Sequence, residues 1–307
     1  MLPERLDRNR LTELPSHLLL PLLASLLFVC GLICTKRATS RGVSPWTVVF
    51  LANQWAALLF STLWLLGGEG QPLAKLWQPA IIGLLYMAGQ IFTFLAIQRG
   101  DVSVATPVLG IKVVLVAILV SVLFREMLPQ SVWIAAGLAT VGIGLVQWSP
   151  RVDDGDSSRG KLLTTILFAV LAASAFAMFD VSVQRWAPAW GTGRILPAVF
   201  WMVSILSLGL LPFVSRSDLR DPQTRTVLLV GTFLIGLQAL CLVSTLANFG
   251  DAARVNVVYS MRAVWGVVLA WLVAIKWGGG EADAPKSVML LRLLGAILLT
   301  AAVVLVV

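Results

Sequence analysis

The chain has 307 residues, 58% of them hydrophobic and 12% charged, with a formal net charge of +8 and a mean hydropathy of +0.90. Soluble domains carry about 25% charged residues, so this composition excludes a water-soluble globule and points to an integral membrane protein. The surplus of Lys and Arg then belongs to loops, where it bears on orientation; no basic block interleaved with aromatics suggests nucleic acid as a partner.

In chain order, ten stretches approach the about 20 mostly apolar residues a spanning helix needs. They are 17–35, 46–66, 77–98, 102–124, 131–148, 161–184, 195–214, 226–248, 252–275 and 288–307. Arg5, Arg8 and Arg10 precede the first, but no small-x-small cleavage site follows it, so it reads as a membrane helix and not as a removable signal. Cys30 and Cys34 are four apart on one helix face, Cys241 is remote, and all three read as small packing residues. Short linkers join the stretches: GGEGQP (67–72), SRSDLRDPQ (215–223) and GGGEADAP (278–285). Trp46, Trp77, Trp148, Trp186 and Trp277 lie near span ends, where aromatic belts form.

The longest polar break, RVDDGDSSRG (151–160), falls at the middle of the chain and suggests a duplication. Gly83, Ala88 and Gln90 meet Gly231, Gly236 and Gln238 at a shift of 148. The pair Gly100–Asp101 recurs as Gly250–Asp251 at 150, and at that shift Gly110 meets Ser260 and Lys112 meets Arg262. Gly137 meets Gly295 at 158. The expected organisation is two five-helix units, residues 1–150 and 151–307. Five is odd, so the units enter the membrane from opposite sides, as in secondary transporters with inverted repeats. The fold expected is all-α, with ten transmembrane helices. Gly137, Gly142, Gly144, Gly231 and Gly236 are expected to serve close helix packing.

Lys112 and Arg262 each sit near the middle of an expected span, about 15 Å from either interface. A central cation costs about 2.5–3.5 kcal/mol on insertion scales and calls for a carboxylate, a wet cavity or an anionic ligand. Asp180 is the one acid well inside a span, placed about 10 Å toward one end. One acid cannot neutralise two bases, so an anion-receiving cavity is the reading favoured over a structural pair. Asn256, Tyr259, Arg262 and Gly266 share one helix face; Thr106, Leu109, Lys112 and Val116 form the matching face. Gln90 and Gln238 are candidate cavity residues, while Asn53 and Gln54 read as hydrogen-bonding across helices. Trp265 either stacks on Arg262 or faces lipid. Pro107 is expected to kink the fourth helix in its first turns.

Residues 100–129 and the glycine-rich 134–146 resemble the end of an EamA unit, and the whole chain is similar to the ten-helix, two-copy form of the drug/metabolite transporter superfamily. The helix closes on Glu126, as in that family, but Lys112–Val113 stands near the place of its usual mid-helix proline. Lys276 stands in the second copy where the glutamate would be. The resemblance implies a transporter at the plasma membrane. Basic residues on the fourth and ninth helices are shared with the sugar-phosphate translocator branch, which implies an anionic solute held by Lys112 and Arg262.

The function expected is alternating-access transport of a small anionic metabolite. Thr106, Gln90, Gln238, Asn256 and Tyr259 would help bind it, and Asp180 is a possible coupling group. Exchange of anions is at least as plausible as proton coupling. Export of neutral or amphipathic metabolites or amino acids, or carriage of a lipid-linked phosphate, stays open. An intramembrane enzyme is disfavoured, because His17 is the only histidine and neither H-E-x-x-H nor G-x-S-x-G occurs; no cofactor or metal is expected. The charge count puts seven basic residues on the N-terminal side and thirteen on the other, so both termini would face out, whereas the family resemblance implies that both face the cytoplasm.

Overall fold

The computed structural model describes residues 16–99, 102–125, 127–148, 158–214, 220–277 and 286–307. These residues are helical without strands. The first half runs α1 (Leu19–Thr39), α2 (Pro45–Ser61, continued by 3₁₀ turns Thr62–Leu66), α3 (Trp77–Arg99), α4 (Val102–Leu109), α5 (Lys112–Phe124) and α6 (Gln130–Val146). The second runs α7 (Ser158–Trp190), α8 (Thr192–Ser207, continued by 3₁₀ turns Leu208–Phe213), α9 (Pro222–Phe249), α10 (Ala252–Tyr259), α11 (Arg262–Trp277) and α12 (Lys286–Val306). Among the described residues, eight stretches are long and apolar enough to cross a membrane, with α4 and α5 joined in one of them. The other two expected spans differ. Gln130–Val146 is apolar but has only 17 residues, and the ninth is divided between α10 and α11. Large apolar side chains remain exposed along one side of α12, among them Leu290, Leu293, Ile297 and Val304. On a water-facing surface such a patch would be a liability; on a multi-pass membrane protein it is the lipid contact.

The two halves interleave. Helix α1 packs on α9 and α3 packs on α7, while α2 packs on α8 and α6 on α12. Exchanging the halves maps the first pair onto the second and each of the last two onto itself. Glycines set the closest crossings. A Cβ added at Gly31 would lie 3.0 Å from the Gly231 carbonyl oxygen, and one at Gly231 would lie 3.0 Å from the Thr35 nitrogen. The α6–α12 crossing repeats this pattern. A Cβ at Gly142 would meet the Gly295 oxygen at 3.0 Å, and one at Gly295 would meet the Gly142 oxygen at 2.7 Å. Backbone meeting backbone leaves no side chain to move aside, which is why small residues occupy these positions. The reciprocal pair is thus Gly142 with Gly295. Gly137, expected to serve close packing, faces open space.

Three further expectations are corrected. The spans that carry Lys112 and Arg262 are not continuous helices. Each is interrupted just before the cation, at Gly110–Ile111 and at Ser260–Met261. Pro107 lies within α4, and the interruption comes three residues later, in the first turns of that span. Helix α7 does not stop at Gln184 but runs to Trp190, with Pro188 accommodated in its last turn. Asp180 therefore lies about 6 Å from the centre of the span Leu162–Trp190, nearer to it than expected. The pair Gly100–Asp101 and Glu126 lie outside the described residues. Of the matching pair in the second half, Gly250 ends α9 in the left-handed conformation, with φ 62°, and the Asp251 side chain caps α10 by accepting from the Arg254 nitrogen.

Candidate substrate site

The two interruptions are built alike. At the first, Pro107 has no N–H, but its carbonyl accepts from the Gly110 nitrogen at 3.0 Å. The Ile111 nitrogen donates to the Val108 oxygen at 3.1 Å, and the Val113 nitrogen to the Gly110 oxygen at 3.3 Å. At the second, the Met261 nitrogen donates to the Val258 oxygen at 3.1 Å and the Ala263 nitrogen to the Ser260 oxygen at 3.0 Å. Each joint is therefore a short 3₁₀ stretch with its backbone still bonded, a feature that often marks a hinge within a helix. Gly110 is required sterically, because a Cβ there would lie 2.7 Å from Ile143 Cγ2 and 2.9 Å from the Pro107 oxygen. Ser260 stands at the corresponding point and donates its hydroxyl to the Val257 carbonyl at 2.5 Å.

Immediately beyond each joint sits the cation, and here the halves differ. Lys112 Nζ lies 2.7 Å from Asp180 Oδ2, with the Asp180 side chain only 1% exposed and that of Lys112 12%. Asn256 Nδ2 donates to the same carboxylate oxygen at 2.7 Å and to the Ala252 carbonyl at 2.9 Å. The ammonium also lies 5.8 Å from the Phe176 ring centre. Lys112 is thus neutralised within the protein, and the expectation that it stands open to an anion gives way to a buried ion pair. Arg262 has no carboxylate partner among the described residues. Its guanidinium lies 4.6 Å from the Tyr259 ring centre and 5.3 Å from that of Phe28. Cation–π contact holds such a group without neutralising it. Trp265 neither stacks on Arg262 nor turns wholly to lipid; its indole N–H donates to the Ser25 hydroxyl at 3.1 Å.

Aromatic rings surround the two cations. Tyr86 lies 6.0 Å from Phe176 and 5.1 Å from Phe179, centre to centre, and Phe28 lies 6.2 Å from Tyr259. Phe28, Tyr86, Phe176, Lys112 and Arg262 are only partly buried although they come from α1, α3, α7, α5 and α11, elements packed around one another. Tyr86 and Tyr259 are the chain's only tyrosines, and both border this cluster. Spacing alone did not single out Tyr86, Phe28 or Phe176. The usable signal was Tyr86 one helical turn before Gln90, together with the scarcity of tyrosine.

The other expected residues are distributed around this centre. Gln90 forms a reciprocal amide pair with Asn53, both bonds 3.0 Å long. Gln238 is buried on α9 and does not share that pair. Thr106 lies on α4, across the joint from Lys112. Gln54 bridges α2 to α8, donating to the Ser207 hydroxyl at 2.9 Å and accepting from Ser204 at 2.6 Å. Gly266 faces open space. The three cysteines are free, and Cys34 packs its Cβ against Gly231. Two of the expected anchor tryptophans, Trp77 and Trp186, contact each other edge to face at 5.3 Å.

Residues 15–148 match the model of the EamA-like transporter family. The match covers the first half of the chain and supports the expected likeness to the drug/metabolite transporter superfamily. Members of the EamA-like family are membrane transporters of small molecules, so the cluster around Lys112 and Arg262 is the candidate substrate site. A solved crystal structure, titled only as that of a protein, superposes with a TM-score of 0.71 at 17% identity, covering 95% of this chain and 96% of the other. At that identity the likeness establishes the fold alone. No curated protein matches the sequence.

Proposed function

We propose that this transporter carries a small anionic metabolite by alternating access, with the solute's acidic group bound by Arg262. The observation that carries this reading is the guanidinium held by two aromatic faces, without a carboxylate partner among the described residues. A planar guanidinium suits carboxylate or phosphate in bidentate geometry. The paired Lys112 has a different part: it holds Asp180, and through it Asn256 on α10, across the two units. The joints at Gly110–Ile111 and Ser260–Met261 are where each fourth span would bend. Since Asp180 is committed to Lys112 and Asn256, exchange of one anion for another fits better than a proton relay through Asp180. The inner, or plasma, membrane is the expected location.

The test is counterflow in proteoliposomes loaded with candidate organic anions. Arg262→Ala abolishes uptake and Arg262→Lys leaves a small fraction of it, because charge remains but the planar fork is lost. Lys112→Ala lowers transport by unseating Asp180. If Arg262→Ala transports as the parent does, the binding role is wrong.

A further inference from the structure

The charges at this site restrict what it can accept. Building on the proposed function, we infer that the solute is a monoanion with an apolar, planar body, and neither a dianionic phosphate nor a zwitterion. Lys112 and Asp180 cancel at 2.7 Å, so the cluster's remaining charge is the single one of Arg262. A monoanion leaves the loaded site neutral. A phosphate ester near neutral pH brings about two charges, and the second would enter a low-dielectric centre without a counter-charge, which is unfavourable. A zwitterion fails for the complementary reason. Its ammonium needs a free carboxylate, and Asp180 is already bonded to Lys112 and Asn256.

The walls indicate the body of the solute. Phe28 and Tyr259 lie against Arg262, Phe176 lies against Lys112, and Tyr86 meets Phe176 edge to face. The nearby amides turn to one another: Asn53 with Gln90, and Asn256 with Asp180 and the Ala252 carbonyl. A polyhydroxylated solute would find few unengaged donors and acceptors among these residues, whereas a flat apolar one gains ring contact.

The experiment uses the purified full chain in detergent and four probes: benzoate, phthalate, inorganic phosphate and L-phenylalanine. Binding is read from the rise in unfolding midpoint with probe concentration, since a ligand of the folded state raises it. Benzoate is expected to bind at least about tenfold more tightly than the other three, a factor worth 1.4 kcal/mol. Phosphate, phthalate or L-phenylalanine binding as tightly as benzoate overturns the inference while leaving anion transport standing. If none of the four binds, anionic transport itself falls, and this inference with it. Asp180→Asn adds a second readout. It leaves the site with two uncompensated positive charges, so phthalate should gain at least about tenfold relative to benzoate; an unchanged ratio overturns the charge argument. If that variant does not fold, the four probes on the unaltered protein decide alone.

Discussion

Separating the two halves of the buried ion pair should cost more than removing it. Lys112→Met leaves the Asp180 carboxylate, 1% exposed, with only the Asn256 amide as a donor among the contacts described above. Removing one partner of a buried pair typically costs about 3–5 kcal/mol. The low end applies here, because Asn256 still donates at 2.7 Å and because polar contacts within bilayers are worth less than in water-soluble cores. Asp180→Leu strands a lysine that keeps 12% exposure and the Phe176 ring, so about 2 kcal/mol is expected. The double variant Lys112→Met/Asp180→Leu removes both charges, and Asn256 keeps the Ala252 carbonyl at 2.9 Å. Its cost should be about 1 kcal/mol, below either single variant. The assay is reversible unfolding in mixed micelles, analysed as a double-mutant cycle. A double variant destabilised by the sum of the singles would mean that the 2.7 Å contact couples nothing, and the assignment of Lys112 as a neutralised residue would fail.

Other expectations are as direct. Gly295→Ala should destabilise by about 1–3 kcal/mol, because its methyl would meet the Gly142 oxygen at 2.7 Å, whereas Gly137→Ala and Gly144→Ala face open space and should be near neutral in the same thermal assay. At the start of α9, the Thr224 hydroxyl and then the Thr224 backbone nitrogen donate to Asp221 and hold its carboxyl below the usual carboxylate range. A depressed folded-state value means this contribution is present above about pH 4 and is lost as pH falls through it. Asp221→Ala should therefore be destabilised relative to the parent at neutral pH and approach it in acid; a difference constant down to the acid limb would refute this. Cysteines introduced singly at Gly42 and Gly70, at the two ends of α2 and both in open surroundings, should label from opposite sides of sealed vesicles. Labelling from one side would remove α2 from the spans.

Much of the architecture was legible because bilayer spans write themselves as long apolar runs. The polar break after residue 150 and the shift relating Lys112 to Arg262 located the centre of the protein. What the sequence could not supply were the distances between elements. The apolar run thins after Gln184, so the sequence does not show that α7 continues to Trp190, and it cannot decide which of the two cations Asp180 meets. The joints were hidden because Gly110 and Ser260 are ordinary packing residues by type, and only the approach of Ile143 and the local bonding show why they stand there. That Gly142, and neither Gly137 nor Gly144, makes the close crossing with Gly295 is not readable from residue type, because glycine recurs at five-residue and two-residue spacings along α6.

The uneven treatment of the two cations bears on how membrane voltage acts on the transport cycle. Moving one elementary charge fully through the field is worth about 2.3 kcal/mol per 100 mV. With Lys112 cancelled by Asp180, Arg262 is the uncompensated charge of the cluster, near mid-depth. A carrier loaded with a monoanion crosses electrically silent, and the field acts instead on reorientation of the empty one. Turnover without a counter-solute should then vary with membrane potential, while exchange of one monoanion for another should not.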